Sequence, residues 1–209
     1  FATARQQTPI ITPITLTENA TTEHWGDPMT TKADNVFRIC FENINGLGFD
    51  VLHNTKQDRF ITWAKENSVD SIGWAEININ WRLTTPSEKL RERMRPGCWD
   101  KLAITTAHNI HEKLTKYQPG GVGLLTFDQL AHRVSSSGSD SSGLGRWTWF
   151  ELKGKGVRHI IIASIYRCCA PNDSSPNGVW RQQKHYFNTI GLDVDPREQF
   201  YVDLETQLQ

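Results

Sequence analysis

The feature that most constrains this chain is a change of period near its start, from strand to helix and back to strand. Val36-Phe37-Arg38-Ile39-Cys40-Phe41 alternates and is rich in β-branched and aromatic residues, the pattern of a half-buried strand. It runs into Glu42-Asn43-Ile44-Asn45-Gly46-Leu47-Gly48, a polar strand end with two glycines. Residues 56–66 then place Phe60, Ile61, Trp63 and Ala64 at helical spacing. Residues 69–76, ending on Trp74-Ala75-Glu76, read as a second, mostly buried strand with a carboxylate at its tip. A right-handed crossover over this distance makes the two strands parallel, a βαβ unit.

The rest of the chain changes character. After Pro86, residues 87–95 read as a basic helix. Residues 102–107, 122–127, 147–152 and 158–166 read as short strands in succession. Lys153-Gly154-Lys155-Gly156 is a hairpin signal between the last two. The Ser/Gly-rich stretch 135–145 reads as a surface loop. Residues 177–190 and 196–209 read as helices. Residues 1–34, rich in Thr and Pro and without a period, read as a tail or linker, so the domain is expected over 35–209.

Composition limits the function classes. With 209 residues, 37% of them hydrophobic, and eight tryptophans, the chain can bury a sizeable core and is not wholly disordered. Lys+Arg and Asp+Glu balance at 23 each, so nucleic-acid binding would have to come from local patches. No apolar run approaches the ~20 residues of a membrane span, and no signal peptide is visible, which predicts an intracellular protein, nuclear or cytoplasmic. Cys168 and Cys169 are adjacent while Cys40 and Cys98 stand alone, neither a zinc spacing nor a disulfide framework. The sequons at Asn19 and Asn172 are discounted for want of a secretion signal. The start on Phe1 is expected of a piece of something longer.

In the βαβ unit, Asn43 and Glu76 both fall at carboxyl ends of parallel strands, where open α/β sheets place their sites. A carboxylate there can hold Mg²⁺, which takes few protein oxygens and keeps waters that a phosphate can replace. A nearby amide can hydrogen-bond a phosphate or orient water. On spacing alone the plainer alternative is favoured: Glu76 a solvated strand-end acid and Asn43 a turn residue. His108 and His111 have a two-histidine spacing with no third ligand in view, so a turn is favoured over zinc. Lys89, Arg91, Arg93 and Arg95, flanked by Arg82 and Lys101, could meet phosphates. Glu88 and Glu92 among them make a solvated, self-paired face the more frequent outcome. Trp63, Trp74, Trp147 and Trp149 are expected in the core, with Trp81 and Trp99 the better candidates for exposed contacts.

Five short motifs occur in order: Asn43-Ile44-Asn45-Gly46-Leu47; Trp74-Ala75-Glu76; Gly120-Gly121-Val122-Gly123-Leu124-Leu125; Gly145-Arg146-Trp147; Ser164-Ile165-Tyr166-Arg167. Together they resemble the endonuclease/exonuclease/phosphatase superfamily, which includes abasic-site endonucleases, pancreatic-type DNases and retroelement endonucleases. The likeness covers residues 36–167 and the N-terminal half of that fold. It implies an α/β fold, part of a four-layered DNase I-like sandwich with two mixed β-sheets, truncated on its C-terminal side.

By the same resemblance, Asn43 matches the active-site asparagine and Glu76 the glutamate that coordinates Mg²⁺ (or Mn²⁺). Tyr166 matches the strand-end tyrosine near the scissile phosphate, so Asn43, Glu76 and Tyr166 form the implied catalytic set. Asn45 falls where relatives carry an acid, and an amide is a poorer ligand. Arg146 opens a strand and Arg167 follows Tyr166; with Asn45 they are the implied substrate-contacting residues. The family's later Gly-Asp-X-Asn and Ser-Asp-His motifs do not occur in the sequence. The resemblance thus implies a metal-dependent hydrolase site that is incomplete and inactive in this chain alone. His24-Trp25-Gly26-Asp27 before Asn35-Val36-Phe37-Arg38-Ile39 is similar to the entry of retroelement endonuclease regions. That implies DNA as substrate of the full-length protein, the missing C-terminal half as a partner, and a reverse transcriptase region downstream. An inositol- or lipid-phosphatase member of the superfamily, or a non-catalytic relic or binding domain, are the alternatives. A cut sheet would also expose apolar surface and a raw edge, predicting poor solubility or a partner.

Overall fold

The computed structural model describes residues 31–48, 54–94, 99–112, 117–171 and 177–208, the side chains of 54–55 and 84–87 excepted. The chain divides into two units, Phe1–Thr31 and Lys32–Gln209. Most of the expected tail, the His24-Trp25-Gly26-Asp27 motif, both sequons, Arg95 and Cys98 lie outside the described residues.

The βαβ unit is present. Strands β1 (Ile39–Asn43) and β2 (Ser71–Ala75) are parallel neighbours joined by helix α1 (Asn54–Glu66), with Asn43 opposite Ala75. β1 begins at Ile39, later than the alternation predicts. The Arg38 N–H donates to the Asp70 side chain at 2.7 Å, so a carboxylate takes the place of a ladder partner there. β2 pairs antiparallel with β4 (Val122–Phe127), which pairs with β3 (Leu102–Ala107), giving the order β1-β2-β4-β3. β4 is buried along its whole length, which is why it reads as a continuous apolar run.

The second sheet, β5-β6-β7, is formed by Val134–Ser139, Trp147–Lys153 and His159–Ile165. It is antiparallel throughout these three strands, whereas the first sheet is mixed. β5 corrects the expectation of a loop over 135–145. Its serines carry no β signal, but pairing with β6 supplies the ladder, and Gly138 leaves the room that the Trp149 ring fills. The loop proper is the tight turn from Asp140 to Gly145. A one-turn helix, α3 (Asp128–His132), was also not legible in the sequence.

The two sheets pack face to face. Leu124 of β4, Phe150 and Leu152 of β6 and Ile162 of β7 fill the space between them. Across it the Ser164 hydroxyl donates to the Trp74 carbonyl (2.9 Å), and the Thr105 and Thr148 hydroxyls meet at 2.7 Å. The first sheet's other face carries Ile72, Trp74, Leu125 and Phe127 against α1 and α2 (Thr84–Met94), which contribute Ala64, Leu90 and Met94. Beyond the second sheet, α5 (Pro196–Leu208) covers Trp147 with Phe200 and receives its indole N–H at Gln207 (3.1 Å). Helices, sheet, sheet and helix make four layers, the α/β arrangement predicted. Trp99 and Trp81 are partly buried against the first core, Trp99 stacked on Phe127 at 4.0 Å, so neither is the exposed contact the sequence suggested.

Among the described residues, one flank of the sandwich is open. β1 and β7 end the strand orders of their sheets, and Phe41, Ile160 and Ile161 are 59%, 57% and 55% exposed there. No helix among the described residues is long and apolar enough to cross a membrane. Trp74, fully buried, is expected to cost about 3–5 kcal/mol on truncation to Ala in urea unfolding. Ile161→Lys, on the exposed face opposite Glu151, is expected to change stability by under ~0.5 kcal/mol while lowering light scattering at high concentration.

Candidate functional site

The site lies where the carboxyl ends of β1 and β2 meet the end of β7. Immediately after β2 the backbone turns left-handed at Glu76 (φ 53°) and again at Asn78 (φ 58°). Asn45 (φ 45°) does the same after β1. Non-glycine residues in that region cost about 1–3 kcal/mol each and persist only where neighbours over-determine them. Here the neighbours are specific. The N–H groups of Gly46 and Leu47 donate to the Glu76 and Ile77 carbonyls at 2.7 and 2.9 Å. The Asn78 N–H donates to the Gly120 carbonyl, and the Gly120 N–H returns to Asn78 Oδ1, each at 2.8 Å. Gly120 itself is left-handed (φ 81°), and a side chain there would press on Val179. From α1, the Lys56 ammonium caps the carbonyl of Ile44 and that of Gly46 (3.1 Å), pinning the turn after β1.

These turns aim polar groups into one cleft of about 290 Å³. Asn45, Glu76, Asn78 and Tyr166 line it, with Tyr117, Trp180 and Arg181 among the rest. Tyr166, the residue after β7, donates its hydroxyl to Glu76 Oε1 at 2.7 Å. Burial first, and then the carboxylate beside it, holds the Tyr166 hydroxyl well above the ordinary tyrosine range. It therefore remains a neutral donor to Glu76 at every physiological pH. Among the described residues, Glu76 is the only acid in the lining, and no group of three His, Cys, Asp or Glu could hold a metal. A zinc site or an all-carboxylate calcium cage is thereby ruled out for these residues. One carboxylate in a cleft that Asn45 also lines suits a hard cation that retains most of its waters.

Three of the six sequence-derived residues come together in this cleft: Glu76, Tyr166 and Asn45. Asn43 does not line it. Its Oδ1 accepts the Asn45 N–H at 3.1 Å, so the side chain shapes the turn that presents Asn45. Arg146 is 1% exposed and bound to Asp140 (2.7 Å), Asp203 (2.8 Å) and the Ser142 hydroxyl (3.1 Å). Burial alone would raise the Asp140 carboxyl, but the Arg146 guanidinium outweighs it and holds the group below the usual carboxylate range. What Arg146 gives the cleft is indirect: its carbonyl accepts the Tyr166 N–H at 2.7 Å. Arg167 leans on α5, over the Tyr201 ring and onto the Arg197 carbonyl. His108 is buried and His111 lies against Tyr186, apart from any third ligand. Arg93 of the basic helix is paired with Asp58 at 2.9 Å.

Lys56, Asn78, Tyr117, Trp180 and Arg181 were not singled out by the sequence. Asn78 had a legible signal, an asparagine two residues past the strand-end acid, the type that tolerates positive φ. Tyr166 also sets a pH dependence. Its raised folded value means the unfolded chain ionises first, near pH 10, so its contribution is intact below that and lost as pH rises. In an ultraviolet titration of the folded chain, at most three of the four tyrosines are expected to ionise by about pH 11, and Tyr166→Phe should leave that amplitude unchanged.

No protein-family model and no curated protein matches the chain. Solved structures do, in part. An AP endonuclease from Leishmania major is 12% identical, with a TM-score of 0.47, over 66% of this chain and 42% of that one. An endonuclease/exonuclease/phosphatase family protein from Leptotrichia buccalis is 15% identical, TM-score 0.43, over 74% and 60%. The human Nocturnin catalytic domain is 13% identical, TM-score 0.41, over 79% and 66%. The chain thus spans from 42% to 66% of the length of these three structures. At such scores the likeness says nothing of chemistry, which comes from the residues of the cleft.

Proposed function

We propose that this chain carries the first part of a Mg²⁺-dependent phosphodiester-cleaving site, of the DNA endonuclease type that retroelements encode. The observation that supports it is the Tyr166–Glu76 hydrogen bond at 2.7 Å, which joins the ends of two facing sheets in the cleft that Asn45 also lines, with one carboxylate among its described residues. Glu76, with Asn45, would hold Mg²⁺ or Mn²⁺, whose charge would neutralise the phosphoryl oxygens and the leaving group. Tyr166 fixes the rotamer of Glu76 by donating its one hydroxyl proton to Oε1. The main-chain stitching at Gly46 and Asn78 keeps both in place without reorganisation, the condition under which polar groups contribute most to a transition state. Asn43 acts through the turn that presents Asn45, Arg146 through the strand end that presents Tyr166, and Arg167 through α5.

Water activation and a further metal-site carboxylate are assigned to the Gly-Asp-X-Asn and Ser-Asp-His motifs, which do not occur in this sequence. The chain alone is therefore expected to give no Mg²⁺-dependent nicking of supercoiled plasmid. A longer chain that includes those motifs should nick, and Glu76→Gln should lower its rate by about a thousandfold or more. Nicking by the 209-residue chain itself, lost in Glu76→Gln, would show that the site is already complete.

A further inference from the structure

Beyond Glu76, Asn45, Asn78 and Tyr166, the described lining of the cleft includes two aromatic rings and one cation. Tyr117 is 63% exposed, yet its backbone is fixed. It bridges to Ile79, Gln118 bonds to the Asn78 carbonyl, and Pro119 restricts the next φ. Trp180 sits in the first turn of α4 (Val179–Thr189), which rests on Gly120 through Val179. The two segments that carry these rings are tied to each other. Gln182, two residues after Trp180, accepts from Gln118 at 3.2 Å, and Gln118 directly follows Tyr117. Asn109 holds the same Gln182 oxygen at 3.3 Å.

We propose that Trp180 and Tyr117 receive a nucleobase that has left its stack, so the cleft takes a single-stranded or locally opened nucleic acid strand. This rests on the reading of Glu76 and Tyr166 as the place of the phosphodiester. Rings carried on anchored backbone offer a base a π-face that needs no sequence-specific pairing. The charges point the same way. Among the described lining residues Arg181 is the one cation and Glu76 the one anion, so an inositol polyphosphate would meet one positive group there where it needs several. A chain with a formal net charge of zero has no bulk field to supply the difference. The volume, about 290 Å³, lies at the small end of ligand sites and suits one nucleotide unit rather than a duplex groove.

The test is fluorescence anisotropy of a labelled oligothymidylate binding to the 209-residue chain. The comparisons are an abasic strand of equal length and charge, and inositol hexakisphosphate as competitor. Trp180→Ala is expected to weaken the base-bearing strand about tenfold or more, and Trp180→Phe, which keeps a ring and guards against misfolding, by no more than about threefold. The abasic strand should bind wild type only as well as the thymidylate binds Trp180→Ala. Equal binding of the two strands by wild type, no effect of Trp180→Ala, or displacement by stoichiometric inositol hexakisphosphate would each overturn the proposal. Glu76→Gln separates the two readings: it should abolish nicking by the longer chain yet keep the preference for bases. If nicking survives Glu76→Gln while the Trp180 effect stands, the phosphate site fails and the base site does not.

Discussion

Everything in the cleft depends on how the backbone leaves β2. A parallel strand next to an antiparallel one has two neighbours running in opposite senses, and at its carboxyl end both must be released. Here the release is stitched. β1's continuation donates to Glu76 and Ile77, while the approach to β4 exchanges hydrogen bonds with Asn78. Two left-handed residues, Glu76 and Asn78, absorb the change of direction. The strain is stored where a carboxylate must be aimed, and Tyr166 from the second sheet closes the arrangement.

The second sheet matters because it carries Tyr166. Its position follows from packing against the first: Ser164 reaches the Trp74 carbonyl across the core, two residues before both Tyr166 and Glu76 in their own strands. Arg146, Asp140 and Asp203 secure the β6 side of that same strand end, where the Arg146 carbonyl accepts the Tyr166 N–H. A buried ion pair of this kind contributes less to stability than its Coulomb energy suggests, since both charges give up water. Its value lies in fixing β6 and α5 relative to one another. The exposed isoleucines on β7 and Phe41 on β1 mark the flank where the two sheets remain open.

Much of this was legible in the sequence. The alternation and apolar runs of β3 and β4 matched their bounds, most plainly in β4, which is buried along its whole length. The βαβ unit was legible from the switch in period, and with it the strand-end position of Glu76. Three things were not. β5 is a run of serines whose strand form is imposed by β6 and by Trp149 over Gly138. Asn43 and Asn45 are two residues apart, and only the turn between them decides that Asn45 lines the cleft while Asn43 braces it. The aromatic lining of Tyr117 and Trp180 comes from segments more than sixty residues apart, brought together by Gln118 and Gln182. No local period encodes such a meeting.

The central claim is that Glu76 is the anchor of a divalent-cation site in this chain. Water-proton relaxation during Mn²⁺ titration measures that directly, without turnover. The account predicts one Mn²⁺ site per chain, weakened at least about tenfold in Glu76→Gln with the melting temperature unchanged. Mn²⁺ bound equally well by wild type and Glu76→Gln would contradict it.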